Sequence, residues 1–522
     1  MYRIHEIKLK IDEDRSLIPE LIQKKLKAPI NITQYKIIKE SIDARDKGDI
    51  LFVYTVDFEV DDQTEQTLSE SGKLANKLEK APDLTYVYPT PGETPLKNRP
   101  VIAGFGPCGL FAALILAELG YRPIVIERGR PAPQRVEDVE RFWKEGILDE
   151  ESNVQFGEGG AGTFSDGKLT TGIKDKRIRK VLEELATAGA GDEILYKQNP
   201  HIGTDVLRKT VINLRKKIIE LGGEIRFETR LDGICYDKSN QLTSIQISSK
   251  NKKSAINTEN LILAIGHSAR DTVRALYNLG VPMEAKPFSI GVRIEHPQKS
   301  IDEAQYGKKM MGRLPPATYK LSHRCQNGRG VYTFCMCPGG EVIVASSQKG
   351  GVVTNGMSNR ARDGFYANSG LLVDVKTSDF ASPDPLAGIE FQEKYERIAF
   401  EKGGENYTAP KTTWGEFASD ATSAKPVIES IPAFAATSLK EAMPYLAKKL
   451  KGFNDPNAIL TAVESRSSSP VRINRDEHYQ SSISGLYPGG EGAGYAGGIV
   501  SSAVDGIRIA EEIVKNYSNK IR

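Results

Sequence analysis

Residues 99–130 read RPVIAGFGPCGLFAALILAELGYRPIVIERGR, and this stretch decides the fold. Val101-Ile102-Ala103 is a short apolar strand, and Gly104, Gly106 and Gly109 follow it at once in G-x-G-x-x-G spacing. An apolar helix comes next, and a second strand ends at Glu127. The glycines serve three ends, namely a tight turn, an open path for a pyrophosphate, and close contact of helix with strand. The helix opens at Pro107-Cys108 and turns its free N–H groups and positive dipole end toward the phosphates. Glu127, with Arg128 behind it, falls about 20 residues on, where a carboxylate accepts hydrogen bonds from an adenosine ribose. The motif alone is a weak signal, but here every flanking element agrees. A carboxylate at the ribose position disfavours a 2′-phosphate, so FAD or NAD is expected rather than NADP.

The chain of 522 residues is too long for one ordinary domain and suggests two or three. A formal net charge of +3, with basic residues spread among acidic ones, argues against nucleic acid as a partner and gives no membrane-binding surface. The opening MYRIHEIKLKIDEDRS is charged and alternating, so no secretory leader is expected there. No uncharged apolar run is long enough for a membrane span. Five cysteines, an odd number, suit a reducing cytoplasm better than a disulfide framework.

Working outward, residues 2–11 alternate as a strand, and a helix is expected from Leu17 to Leu26. Strands at 32–41 and 50–59, a helix from Thr64 to Leu78 and a strand from Leu84 to Tyr88 complete the pattern. The succession β-α-β-β-α-β is that of a ferredoxin-like unit over residues 1–95. Pro89, Pro91, Gly92 and Pro95 then make a linker. Residues 99–280 and 470–522 read as one Rossmann-like nucleotide-binding α/β domain. Within it come a helix from Asp205 to Leu221, a strand from Glu224 to Arg230, a meander at 231–237 and 241–249, and a strand from Asn260 to Ile265. Residues 281–469 read as an inserted mixed substrate or cap domain, with strands at 288–294, 331–336 and 341–346. The fold class is α/β with α+β parts.

Four separated segments make sense together if they wrap one long ligand. The first is the turn at Gly104–Gly109 with Glu127. In the second, from Gly157 to Lys168, Gly159, Gly160, Gly162 and Gly167 let backbone amides approach a ring or a phosphate. Thr163, Ser165, Asp166 and Lys168 offer polar groups in that segment. The third is the apolar strand ending in Ala264-Ile265-Gly266-His267, at the carboxyl edge where ligands sit. The fourth runs from Gly485 to Gly498. There Gly490 and Glu491 can meet sugar hydroxyls, and Gly497, Gly498 and Ile499 open a helix toward phosphate or a flavin carbonyl. An NAD site needs only the first segment, whereas a terminal loop and helix closing back over the ligand are expected of FAD.

The chain resembles the bacterial FAD-dependent dehydrogenases, a group within the glutathione-reductase-like flavoproteins. The resemblance extends over nearly the whole length and rests on SIDAR at 41–45, FVYTVD at 52–57 and NVQFGEGGAGTFSDGKL at 153–169. PHIGTD at 200–205, GHSARDT at 266–272, KPFSIGVRIEHPQ at 286–298, CMCPGG at 335–340, VTNGMS at 353–358 and LYPGGEGAGYAGGI at 486–499 add to it. It implies bound FAD and an oxidoreductase, with no settled substrate. Gly490-Glu491 stands where the wider superfamily usually has Gly-Asp.

Candidate reacting groups lie in the cap. Cys335 and Cys337 form a C-x-C pair, which on a strand would share one face and could close only a strained bridge. A zinc site joining them to His323 and Cys325 has suitable ligand types but irregular spacing. Arg466, together with Arg472, and Arg293 or Lys286 are candidates to bind an anionic substrate. Ser467 to Ser469 offer hydroxyls, and His201 a wall near the adenine or the ring. No second G-x-G-x-x-G follows residue 266, which argues against a dedicated NAD(P)H domain. The leading expectation is a cytoplasmic FAD-dependent dehydrogenase or reductase acting on a small or medium organic substrate, with transient NAD(P)H or a redox protein as possible donor. The alternatives are a flavin-dependent RNA-modifying protein that holds RNA on its N-terminal unit, and a non-catalytic FAD-binding protein.

Overall fold

The computed structural model describes residues 1–70, 78–250, 252–310 and 312–521. At the N-terminus β1 (Tyr2–Lys10), β2 (Ile32–Asp43), β3 (Leu51–Val60) and β4 (Glu79–Lys80) form an antiparallel sheet in the order β2-β3-β1-β4. The helix Ile18–Leu26 lays Ile18, Ile22 and Leu26 onto it, the i, i+4, i+8 face of an amphipathic helix. The second helix is Asp62–Glu70, and the rest of the segment expected to be helical, 71–77, lies outside the described residues. The expected strand at Leu84–Tyr88 is absent. Tyr86 and Tyr88 instead run extended across two helices, their hydroxyls donating to Glu511 and Glu118 at 2.8 and 2.7 Å. Beyond it β5 (Thr94–Leu96) pairs in parallel with the last strand, β23 (Tyr517–Ile521).

The central sheet is parallel throughout. Its strands β6 (Val101–Ala103), β7 (Ile124–Ile126), β8 (Glu224–Arg226), β12 (Leu261–Leu263) and β22 (Leu486–Pro488) stand in the order β22-β12-β6-β7-β8. The chain proceeds outward from β6 in one direction and returns to its other side later, so the order reverses between β6 and β12. Such a switch point leaves a crevice at the carboxyl ends of the strands. The helix Pro107–Glu118 is buried at every position from Cys108 to Ala117, which explains its unbroken apolar sequence. It packs against Ile499–Asn516 at close range, since a Cβ on Gly506 would fall 2.1 Å from the Cys108 carbonyl oxygen. The strand expected over 224–230 ends at Arg226. A separate meander of β9 (Thr229–Tyr236), β10 (Leu242–Ser249) and β11 (Lys252–Asn257) follows.

Between β12 and β22 the chain builds a second large sheet. After β13 (Met283–Ala285), β14 (Phe288–Pro297) is buried at nine of its ten positions, as a central strand covered on both faces must be. It is joined by β15 (Ser322–Arg324), β16 (Gly330–Val344), β17 (Thr354–Met357), β18 (Tyr366–Val375), β19 (Lys411–Thr413) and β20 (Ile459–Glu464). The two strands expected at 331–336 and 341–346 are one, β16, bent by register shifts at Phe334/Cys337 and Cys337/Gly340. β21 (Val471–Ile473) pairs with β13 on the way back.

A dinucleotide cleft between the central sheet and the cap

The loops that leave β6, β12 and β22 converge on one cleft of about 680 Å³, which the 155–168 loop and the cap close from the other sides. Of the residues expected at a cofactor, Gly104, Gly106, Pro107 and Cys108 line it beside Glu127 and Arg128. Gly160, Gly162, Ser165 and Lys168 form a second wall. Gly266 and His267, Gly490 and Glu491, and then Gly497, Gly498 and Ile499 complete it.

The glycines divide by what a side chain would strike. Gly104 sits at φ +102°, and a Cβ there would lie 2.2 Å from the Ala264 carbonyl oxygen. A Cβ on Gly109 would lie 2.0 Å from the Gly104 carbonyl oxygen, so this residue sets the contact of helix with strand and does not line the cleft. Gly106 is different: its Cβ would meet only the Gly160 Cα, at 3.7 Å. At Gly266, Gly497 and Gly498 a Cβ would find nothing within 4 Å. These four leave bare backbone along the cleft, as a cradle for a bulky ligand requires.

Glu127 is 5% exposed and accepts three backbone N–H groups, from Gly129 and Gly157 at 2.9 Å and from Phe105 at 2.8 Å. It therefore ties the glycine turn to the 157 loop, and its Oε2 carries one of these bonds with capacity for another. Arg128 stacks on Phe156, 4.1 Å from the ring centroid, and pairs with Glu151 and Asp271. His267 Nδ1 stands 2.7 Å from Glu491, while its Nε2 is buried with no partner among the described residues. A buried polar atom left open at a cleft wall is what a ligand phosphate or hydroxyl would satisfy. The bare glycines, the ribose carboxylate and this open imidazole nitrogen fit FAD.

Other expected contacts prove to be scaffolding. Gly159 packs against Thr163, and Thr163 is fully buried with its hydroxyl donating to the Glu158 carbonyl. Arg293 is fully buried rather than open to substrate; it pairs with Glu464 at 2.9 Å and bonds Asn368 and Asn355. Cys337 is also fully buried, whereas Cys335 faces the cleft. The two meet different surroundings where Cys335 takes φ +43° and the strand shifts register. Arg472 pairs with Glu284 outside the cleft, and neither Lys286 nor His201 reaches the wall. Ser467 lines the cleft but is held to the Ser289 backbone, and Ser469 is buried against Val471. His323 and Cys325 gather with Glu441, not with Cys335 and Cys337.

Arg466 does line the cleft, gripped by both oxygens of Glu396 at 2.8 and 3.0 Å and by Ser268 and Ser347. Glu396 also takes a second guanidinium, Arg270. Burial pushes the Glu396 carboxyl up, but the two guanidiniums outweigh it and hold it well below the usual range. Across the cleft Asp166 is shared in the same way by Lys168 at 2.6 Å and Arg362 at 2.6 Å, which again overcome burial and hold its carboxyl low. Each of these carboxylates is shared by two cations, so Lys168, Arg362 and Arg466, which line the cleft, are only partly neutralised by them.

Several of these groups had no signal in the sequence. Fully buried Arg135 donates to the carbonyls of Asn153, Val154, Glu158 and Gly160 and so shapes the glycine-rich loop. Asp505 accepts from Gly490 N at 2.8 Å and pairs with Arg475. An arginine in a polar helix and an aspartate within an apolar one give no local hint of such duties.

A family model described as "FAD-dependent protein, C-terminal domain-like" matches residues 287–467, and one described as "Domain of unknown function (DUF8436)" matches residues 1–59. An uncharacterized protein of Clostridium beijerinckii is 46% identical over 534 residues, covering 99% of each chain. The chain belongs to the same family as that protein, a family of FAD-dependent, oxidoreductase-like proteins. FAD is its cofactor. Among solved structures it is similar to a 3-ketosteroid-Δ4-(5α)-dehydrogenase from Rhodococcus jostii, at 13% identity over 84% of this chain and 100% of that one, with a TM-score of 0.36. It is also similar to a glycerol-3-phosphate dehydrogenase from Bacillus halodurans complexed with FAD, at 13% identity over 81% and 65% of the two chains, TM-score 0.36. Likeness at this level says nothing of this chain's reaction. Among the described residues no helix is long and apolar enough to cross a membrane.

Proposed function

We propose that the protein is a cytoplasmic FAD-dependent oxidoreductase of the glutathione-reductase-like kind, acting on a small or medium organic substrate that carries negative charge. One observation carries the reading: the cleft whose walls fit FAD continues without a break to Thr333–Met336, Tyr319 and Lys320 of the cap. The division into residues 1–95, 99–280 with 470–522, and 281–469 belongs to the same proposal, with the last part as substrate roof.

When bound, FAD supplies hydride transfer at flavin N5. The chain's own groups bind and orient. Glu127 is placed to take ribose hydroxyls, and the amides opening Pro107–Glu118 and Ile499–Asn516 to take negative oxygens. His267 Nε2 is aimed at the same ligand, its ring held by Glu491 through Nδ1. Lys168, Arg362 and Arg466 give the cap side a positive potential, which draws in an anionic substrate and excludes cations. The test is an anaerobic spectral titration of the purified holoenzyme with NADH, NADPH and anionic metabolites. Bleaching of the flavin by one of them supports the reading; flavin that no donor reduces points to the non-catalytic alternative.

A further inference from the structure

Cys335 and Cys337 are two unlike sulfurs set side by side. The register shift between Phe334 and Cys337, with Cys335 at φ +43°, turns the first into the cleft and leaves the second buried inside the sheet. A left-handed backbone at a non-glycine residue is costly, and such positions cluster at functional sites. The Cys337 thiol stands 3.4 Å from the Cys335 carbonyl oxygen and donates to it, with one residue between the two cysteines on the same strand. Arg293 Nη1 holds the bend from behind, 3.1 Å from the Cys335 carbonyl oxygen and 4.0 Å from the Cys337 sulfur. Lys168 lines the cleft beside them.

The surroundings divide the protons unequally. A hydrogen bond from Cys337 pulls the Cys335 thiol down, and Lys168 and Arg293 outweigh the opposing effect of burial. The same hydrogen bond and burial push the Cys337 thiol up. A cleft-facing thiolate backed by a buried, protonated thiol is the arrangement that attacks a disulfide and then resolves the adduct.

We propose that Cys335 and Cys337 form a thiol–disulfide exchange pair that reduces a small disulfide entering the cleft. The Cys335 thiolate attacks one sulfur of R–S–S–R, the S–S bond breaks, and RS⁻ leaves beside the Lys168 ammonium. Cys337 then gives up its proton and attacks the Cys335 sulfur, forming the intramolecular bridge and expelling the second RS⁻. The departing thiolate takes the Cys337 proton, so one thiolate, one thiol and R–S–S–R become one protein disulfide, RS⁻ and RSH. The protein is oxidised by two electrons and the substrate reduced by two. A bridge closing over a single residue is strained and readily reduced by an added dithiol or phosphine. This activity goes beyond the flavin reading and stands on the two sulfurs alone.

The test uses holoenzyme reduced with a phosphine, desalted, and mixed with glutathione disulfide. Wild type is expected to release two glutathiones per chain and to yield a tryptic peptide bridged between residues 335 and 337. Its reaction should outrun that of the partly exposed Cys235 by about tenfold or more. Cys337→Ser should stop at one released glutathione, with the adduct on residue 335, and Cys335→Ser should lose the fast phase. Visible flavin absorbance of each variant, recorded beforehand, separates loss of cofactor from loss of thiol chemistry, and the wild-type peptide map needs no variant. Reaction of Cys335 no faster than Cys235, or a wild-type glutathione adduct that is never resolved, overturns the proposal.

Discussion

Adding one methyl group at Gly106 and at Gly109 should damage the protein in two different ways. Gly106 has φ −76° and ψ −175°, an ordinary extended conformation that alanine adopts freely. Its Cβ would touch the Gly160 Cα at 3.7 Å, an ordinary contact, and otherwise project over the phosphate path. Gly106→Ala should therefore fold with wild-type stability within about 0.5 kcal/mol. Overpacking by a methylene costs about 1–3 kcal/mol, and spent against the ligand this weakens FAD binding by about 5- to 150-fold. At Gly109 the Cβ would lie 2.0 Å from the Gly104 carbonyl oxygen and 3.1 Å from Ile102 Cγ2. Backbone cannot yield as a side chain does, so the helix must move off β6, at a cost of about 1–3 kcal/mol or more. Gly109→Ala should lower both apoprotein stability and FAD affinity. Urea unfolding of the apoproteins, with FAD titrations followed by flavin fluorescence, separates the two outcomes. If Gly106→Ala binds FAD as tightly as wild type, the phosphate does not pass over Gly106 and the placement of the cofactor is wrong.

Three further outcomes follow from the charge sets and carboxylate clamps. Glu396→Gln removes the carboxylate shared by Arg270 and Arg466 and leaves Arg270 the more distant Glu393 at 3.9 Å, so urea unfolding at neutral pH should show a loss of about 3–5 kcal/mol. Glu127→Gln leaves at least one of three buried backbone N–H groups facing another donor. A loss of about 1–3 kcal/mol in stability is expected, together with weaker FAD binding in the same fluorescence titration. Burial, reinforced by Arg362, lowers His201 from 6.5 to about 4. Folding thus favours neutral imidazole: its contribution is complete above about pH 6.5 and is lost as pH falls toward 4, by at most about 3 kcal/mol before solvent screening. The difference in unfolding free energy between wild type and His201→Gln, measured from pH 7.5 to 4.5, should shrink as pH falls; a constant difference would show that His201 does not titrate as stated.

The nucleotide half was legible because its signals are local. Strand, turn, helix and ribose carboxylate all fall within residues 101–127, and the cleft is lined by most of the glycines the sequence singled out. The cap was not, since its decisive contacts join distant residues. Arg293 looks like a free cation on a strand until Glu464, 171 positions on, is seen to neutralise it. Leu84–Tyr88 alternates as a strand does, yet its tyrosines find hydrogen-bond partners on helices and leave no ladder. Gly339 and Gly340 suggest a break between two strands. Instead Gly340 pairs with Tyr366 and the strand runs on, with Gly339 pressed against the Arg362 backbone. The same bend gives Cys335 the cleft and Cys337 the interior of the sheet, a difference in surroundings that simple alternation does not show.

The proposed oxidoreductase stands or falls with four stretches of backbone enclosing one FAD. A crystal structure of the protein grown with FAD tests this directly. The pyrophosphate is expected over Gly106 and the start of Pro107–Glu118, the adenosine ribose at Glu127, and the ring between the 160–168 loop and Cys335. FAD density elsewhere, or a ribose that does not touch Glu127, would contradict it.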